Sequence, residues 1–80
     1  MTPTPALEDV KSLVALHLGR RSVNAGDRII EDLGAESVDV VNIIAGLEDR
    51  YHITIEEAEL PDIRTVADLF EVARSRAQAG

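Results

Sequence analysis

The sequence predicts an all-α domain: a small four-helix bundle with three main helices, one short helix and a long loop between the first two. Three observations carry this. Apolar residues recur at three- and four-residue steps in three separate stretches, the spacing that aligns one face of a helix. Turn and stop residues fall between those stretches. The only strand-like run, YHITI at 51–55, is too short and isolated to pair, so Ile53 and Ile55 are expected to cap the core. The 80 residues suit one domain, with a core over about 6–74 and flexible ends.

The first helix is expected over residues 5–18. Leu7, Val10, Leu13, Val14 and Leu18 form its buried stripe, while Leu16 falls off the stripe and His17 reads as surface. Pro5 suits a first turn, Glu8 and Asp9 favour the positive helix end, and Gly19 suits the stop. Residues 20–36 form a long connection. Asn24, Gly26 and Asp27 mark turns, and Val23, Ile29, Ile30 and Leu33 are expected to pin the loop onto the core.

The second helix is expected from Ser37 to Arg50 or Tyr51. Val40, Ile43, Ile44, Leu47 and Tyr51 form one apolar face, and Val38, Val41 and Ala45 form a second. So small a domain cannot cover both, so part of the second face should stay visible to a partner. Gly46 costs a mid-helix position about 0.5–1 kcal/mol relative to alanine, which suggests a close approach or space left open. A short third element over residues 56–60 is expected to be closed by Pro61. Thr65 with Asp68 three residues on resembles a capping box. It opens a last helix whose stripe is Val66, Leu69, Phe70 and Ala73, fraying after Arg74.

Composition removes several function classes. A net charge of −7 argues against nucleic acid, which calls for clustered Lys and Arg. Between residues 31 and 62 the only base is Arg50, a field that draws partners of opposite sign. With no cysteine and two isolated histidines, neither a disulfide framework nor a metal cluster is expected. No apolar run approaches the ~20 residues of a membrane span. The opening MTPTPALED has neither a positive n-region nor an apolar h-region. A soluble, cytoplasmic protein is the expectation.

One serine invites explanation. Ser37 sits between an acidic, glycine-containing turn and the apolar start of the second helix. It could cap that helix by accepting a free backbone N–H, the commonest task of a serine at such a position. It could be a nucleophile, but only His17 and His52 could serve as base, and GAESV lacks the G-x-S-x-G elbow. It could carry a modification, since a phosphate there would meet free N–H groups and the positive helix end.

The run DLGAESVD at 32–39, followed by an apolar helix and then Leu47, Glu48 and Tyr51, resembles the acyl carrier protein family. Ile55, Glu56, Glu57, Ile63, Thr65 and Val66 continue the likeness, which covers roughly residues 7–73 with the same element order and loop lengths. The resemblance implies that Ser37 carries a 4′-phosphopantetheine arm transferred from coenzyme A, whose thiol holds acyl groups as thioesters. The protein is then a carrier and not an enzyme, and the lack of cysteine fits because the arm supplies the thiol. A crevice for the acyl chain is implied, with Val40, Ile43, Ile44, Gly46, Leu47, Ile55, Ile63, Leu69 and Phe70 as candidate walls. Basic patches on a phosphopantetheinyl transferase and on acyl-transferring and synthase enzymes would be met by Glu36, Val38, Asp39, Val41, Asn42, Ala45, Glu48 and Asp49. A monomer that does not insert into membranes is expected with it.

Four positions depart from the family's usual pattern. Glu36 stands for aspartate, Val38 for leucine, Asn42 for an acid common in the fatty-acid branch, and Glu56 for a proline. They point to a specialised carrier serving one pathway, with polyketide, lipid-modifying and aminoacyl or peptidyl systems all open. From another class, the same sequence suits an unmodified helical module that binds a basic partner and bears no cargo.

Overall fold

Val10 and Val14 have no solvent exposure, and the helix that carries them, α1 (Leu7–Leu18), lies against both other long helices. The computed structural model describes residues 4–79. Met1, Thr2, Pro3 and Gly80, on which the expectations of flexible ends and of no export signal partly fall, lie outside the described residues. Among the described residues the regular elements are all helices, α1, α2 (Ser37–Tyr51), a 3-10 helix (Glu57–Asp62) and α3 (Val66–Ala79), with one isolated β-bridge between Arg28 and Thr65.

The stripe of α1 is as the periodicity predicts, with Leu13 and Leu18 packed against the core and Leu16 79% exposed. The helix begins two residues later than expected. Val10 N–H bonds to the Ala6 carbonyl at 3.0 Å, which leaves Ala6 extended as the cap and Pro5 buried ahead of it. Gly19 ends the helix at φ +68°, where a side chain is strained.

Residues 20–36 are held from both sides. Val23, Ile29, Leu33 and Ala35 are buried, but Ile30 is 47% exposed and is no pin. Ile29 N–H bonds to the Arg64 carbonyl at 2.9 Å and Val66 N–H to the Asp27 carbonyl at 3.1 Å, tying the loop to the start of α3. A tight turn follows, closed by Gly34 N–H on Ile30 O and Ala35 N–H on Ile29 O. Asp32 braces it. Its carboxylate accepts Arg28 N–H at 2.8 Å and pairs with the Arg28 guanidinium at 3.1 Å, which holds its pKa below the usual range.

Ile43, Ile44, Leu47 and Tyr51 of α2 are buried, while the second face stays open, with Val38 57% and Val41 53% exposed. Gly46 turns toward α1, where an added Cβ would meet Leu13 Cδ2 at 3.4 Å, ordinary contact distance. The 3-10 helix runs past the expected stop, and Pro61 lies inside it. Ile63 N–H bonding to Leu60 O at 3.0 Å carries the turn beyond the proline, and so short a helix depends little on the missing donor. α3 likewise outlasts its expected fraying point at Arg74. Arg76, two residues further on, pairs with Glu59 of the 3-10 helix at 2.8 Å and ties that end of α3 across the fold.

Two predictions follow from these contacts. The Tyr51 hydroxyl is buried without a hydrogen-bond partner, which costs on the order of 1–3 kcal/mol. Tyr51→Phe is therefore expected to raise stability by about 1 kcal/mol, read as a higher urea midpoint at unchanged slope. At the start of α3, Asp68 N–H bonds to Thr65 Oγ1 at 3.1 Å, while the Asp68 carboxylate accepts Thr65 and Arg64 N–H at 3.0 and 3.1 Å. These bonds, led by Thr65, hold the Asp68 carboxyl below its ordinary 3.8. A lowered folded pKa adds stability that is present above the unfolded value and lost as pH falls through the folded one. The advantage of wild type over Asp68→Ala, about 1 kcal/mol near neutrality, should shrink as the pH drops below 3.8 in a series of denaturation curves.

Candidate functional site

The first turn of α2 is capped by its acids. Glu36 is the N-cap, extended at φ −97° and ψ 168°, and Asp39 Oδ2 accepts its N–H at 2.9 Å. Glu36 O in turn receives Asp39 N–H at 3.0 Å and Val40 N–H at 3.2 Å. Ser37 is thus the first helical residue. It is exposed, and among the described residues its hydroxyl makes no hydrogen bond. The capping reading of Ser37 is thereby corrected: Glu36 is the cap, and Ser37 lies one residue inside the helix. The nucleophile reading has no geometry either. His52 sits at the opposite end of α2, roughly 20 Å away at 1.5 Å per residue, and His17 is an exposed residue of the last turn of α1.

Beside Ser37 opens a cleft of about 230 Å³. Ile29 and Ile30 from the loop, Val40 and Val41 from α2, Leu60 from the 3-10 helix and Ile63 form its apolar walls, with Glu31, Ser37 and Arg64 as the polar lining. A second space of about 230 Å³ lies along α2, between Val41, Ile44, Ala45, Glu48, Ile55, Glu57 and Leu60. Val41 and Leu60 belong to both. Together they form an interrupted groove between α2 and the 3-10 helix, beginning at the serine.

The expected crevice residues separate into three groups. Val40 and Ile63 reach the first space, and Ile44 and Ile55 the second. Ile43, Leu47 and Leu69 are closed into the core with at most 1% exposure, and Phe70 packs half-buried against that core. Gly46 faces α1, so it enlarges neither space. Leu60 and Arg64 line the first cleft outside every expected set, and Ile29 and Ile30, expected as core pins, line it as well. Leu60 carried a sequence signal, as an apolar residue set among the acids of residues 56–62.

The expected docking residues also separate. Glu36, Val38, Val41, Asn42, Ala45 and Asp49 are exposed. Asp39 is partly occupied by the cap, and Glu48 accepts the Ile55 N–H at 2.9 Å, bracing the chain after α2. Arg50 leans away from this surface, 4.0 Å from Asp9 of α1 and 5.7 Å above the Tyr51 ring. Glu56 N–H bonds to the Glu59 carboxylate at 2.9 Å, a bond that the family's usual proline could not make.

A family model described as a phosphopantetheine attachment site matches residues 8–72. The acyl carrier protein of Chlamydia caviae is 35% identical over 71 residues, covering 86% of this chain and 92% of the relative. That of Exiguobacterium sibiricum is 34% identical over 71 residues, covering 86% and 90%. That of Wolinella succinogenes is 36% identical over 64 residues, covering 78% and 84%.

Because the Ser37 hydroxyl supports no other group, Ser37→Ala is expected to change unfolding stability by less than about 0.5 kcal/mol. A capping serine would instead cost about 1 kcal/mol, so a thermal or urea melt separates the two roles.

Proposed function

The chain belongs to the acyl carrier protein family, which bears a phosphopantetheine attachment site, and we propose that Ser37 is the residue that holds the arm. The 4′-phosphopantetheine group supplies a terminal thiol on which acyl groups are carried as thioesters, so this protein is an acyl carrier and its own residues catalyse nothing. One observation supports Ser37 above the rest: a free, exposed hydroxyl at the mouth of an apolar cleft. Its position at the first turn of α2 also suits the attached phosphate, which faces backbone N–H groups and the positive helix end.

The chain's own residues then divide the work. Val40, Val41, Leu60 and Ile63 offer apolar cover near the serine, and Ile44 and Ile55 offer more along the groove. Each methylene taken from water there is worth about 0.8 kcal/mol. Partner enzymes with basic patches are met by Glu36 and Asp49, with Val38, Val41 and Ala45 as the apolar centre of the contact. The charges set encounter rate and register, and the apolar residues supply more of the hold. We read the protein as a single carrier domain and a monomer working in the cytoplasm. Among the described residues no helix is long and apolar enough to cross a membrane. The departures at Glu36, Val38, Asn42 and Glu56 favour a specialised role, in polyketide, lipid-modifying or related biosynthesis, over general fatty-acid supply.

Intact mass tests the assignment. Incubated with coenzyme A and a broad phosphopantetheinyl transferase, wild type is expected to gain the mass of one arm and Ser37→Ala none. An unchanged wild-type mass would favour the unmodified interaction module, and a loaded alanine variant would move the arm to another residue.

A further inference from the structure

Arg64 is the cation that shares the first cleft with Ser37. Four other arginines have carboxylate partners: Arg28 with Asp32, Arg50 with Asp9, Arg74 with Glu71 and Arg76 with Glu59. Among the described residues Arg64, like Arg20 and Arg21, forms no such ion pair, but it alone of these three lines the cleft with Ser37. Its backbone is fixed on both sides. The carbonyl accepts Ile29 N–H at 2.9 Å, and the N–H bonds to Asp68 Oδ2 at 3.1 Å. The side chain therefore leaves a fixed point of the backbone at the cleft, and its guanidinium is in no ion pair there.

A phosphodiester on Ser37 Oγ would enter a crowded acidic neighbourhood. Glu31 lines the same cleft, Glu36 precedes the serine, and Asp39 lies two residues after it. Like charges at such range repel, and a cation lining the same cleft relieves that repulsion more strongly where apolar walls exclude water. The planar fork of arginine matches two phosphate oxygens, which a lysine cannot imitate.

We infer that Arg64 is a positioning residue for the arm. Its guanidinium pairs with the phosphodiester on Ser37 and holds the root of the arm over the cleft between α2 and the 3-10 helix. This rests on Ser37 being the attachment site. The ion pair biases the arm toward its sheltered side, and a partner's basic patch competes with Arg64 for the same oxygens.

Phosphorus-31 NMR on mass-verified loaded protein tests this, with wild type, Arg64→Lys and Arg64→Gln compared at low and high salt. In wild type the diester resonance is expected to be broadened and displaced from its position in the same protein unfolded by urea. Arg64→Gln should narrow it and move it toward that unfolded position, Arg64→Lys should fall between, and added salt should move wild type toward Arg64→Gln. In wild type, the Arg64 Nε–H cross-peak should shift when the arm is attached. Identical diester signals in wild type and Arg64→Gln, both fully loaded, would overturn the Arg64 assignment and leave Ser37 standing. Failure of wild type to gain the arm's mass overturns both.

Discussion

The site depends on a helix start that is capped one residue ahead of its serine. Every α-helix leaves its first N–H groups without intrahelical partners, and a serine at the boundary ordinarily accepts one of them. Here Asp39 reaches back to Glu36 N–H, and Glu36 is the cap, so the hydroxyl one residue later is left free in solvent. The turn before it is just as constrained. Asp32 holds Arg28 through backbone and side chain, and Gly34 takes φ +73°, which steers the chain into Ala35 and the extended cap. With this arrangement the serine faces the cleft mouth. Were Ser37 itself the cap, its oxygen would be engaged by backbone N–H groups.

The acidic character of the chain is consequently less uniform than its net charge implies. Asp32 is paired with Arg28, Glu59 with Arg76, Glu48 is bonded to Ile55 N–H, and Asp68 caps α3. These carboxylates serve the fold. Glu36 and Asp49, by contrast, are exposed on or beside α2. A surface offering fewer free charges around an exposed Val38, Val41 and Ala45 discriminates partners more by apolar fit than a uniformly acidic helix does.

Much of this was legible in the sequence, because it is local. The stripes of Val10 with Val14, Ile43 with Leu47, and Val66 with Leu69 follow from helical period alone, and the Gly19 stop and Thr65–Asp68 cap follow from backbone chemistry within a few residues. The landmarks around Ser37 likewise sit in one continuous run. What escaped notice is set by contacts distant along the chain. The far end of α3 is held by Arg76 on Glu59, and the cleft walls combine Ile29 and Ile30 with Leu60 and Ile63. Helical period could not tell which apolar residues of α2 are sealed beneath α1 and α3 and which line open space. Ile43 and Leu47, expected as crevice walls, are buried in the core, and of the two readings of Gly46, a close approach or open space, its position against Leu13 fits the first.

Val41 occupies the position where these lines meet. It is more than half exposed, yet it lines both spaces of the groove, with Leu60 facing it from the 3-10 helix. A partner that covers the apolar face of α2 must therefore press on a wall common to both spaces. Under the proposed function, the surface that a partner recognises and the cover that shelters cargo are the same side chain viewed from opposite sides. Glu48 ties α2 to Ile55 at the entry to the 3-10 helix, and Arg76 ties the 3-10 helix to α3, so the two sides of the groove are joined at one end and braced from α3.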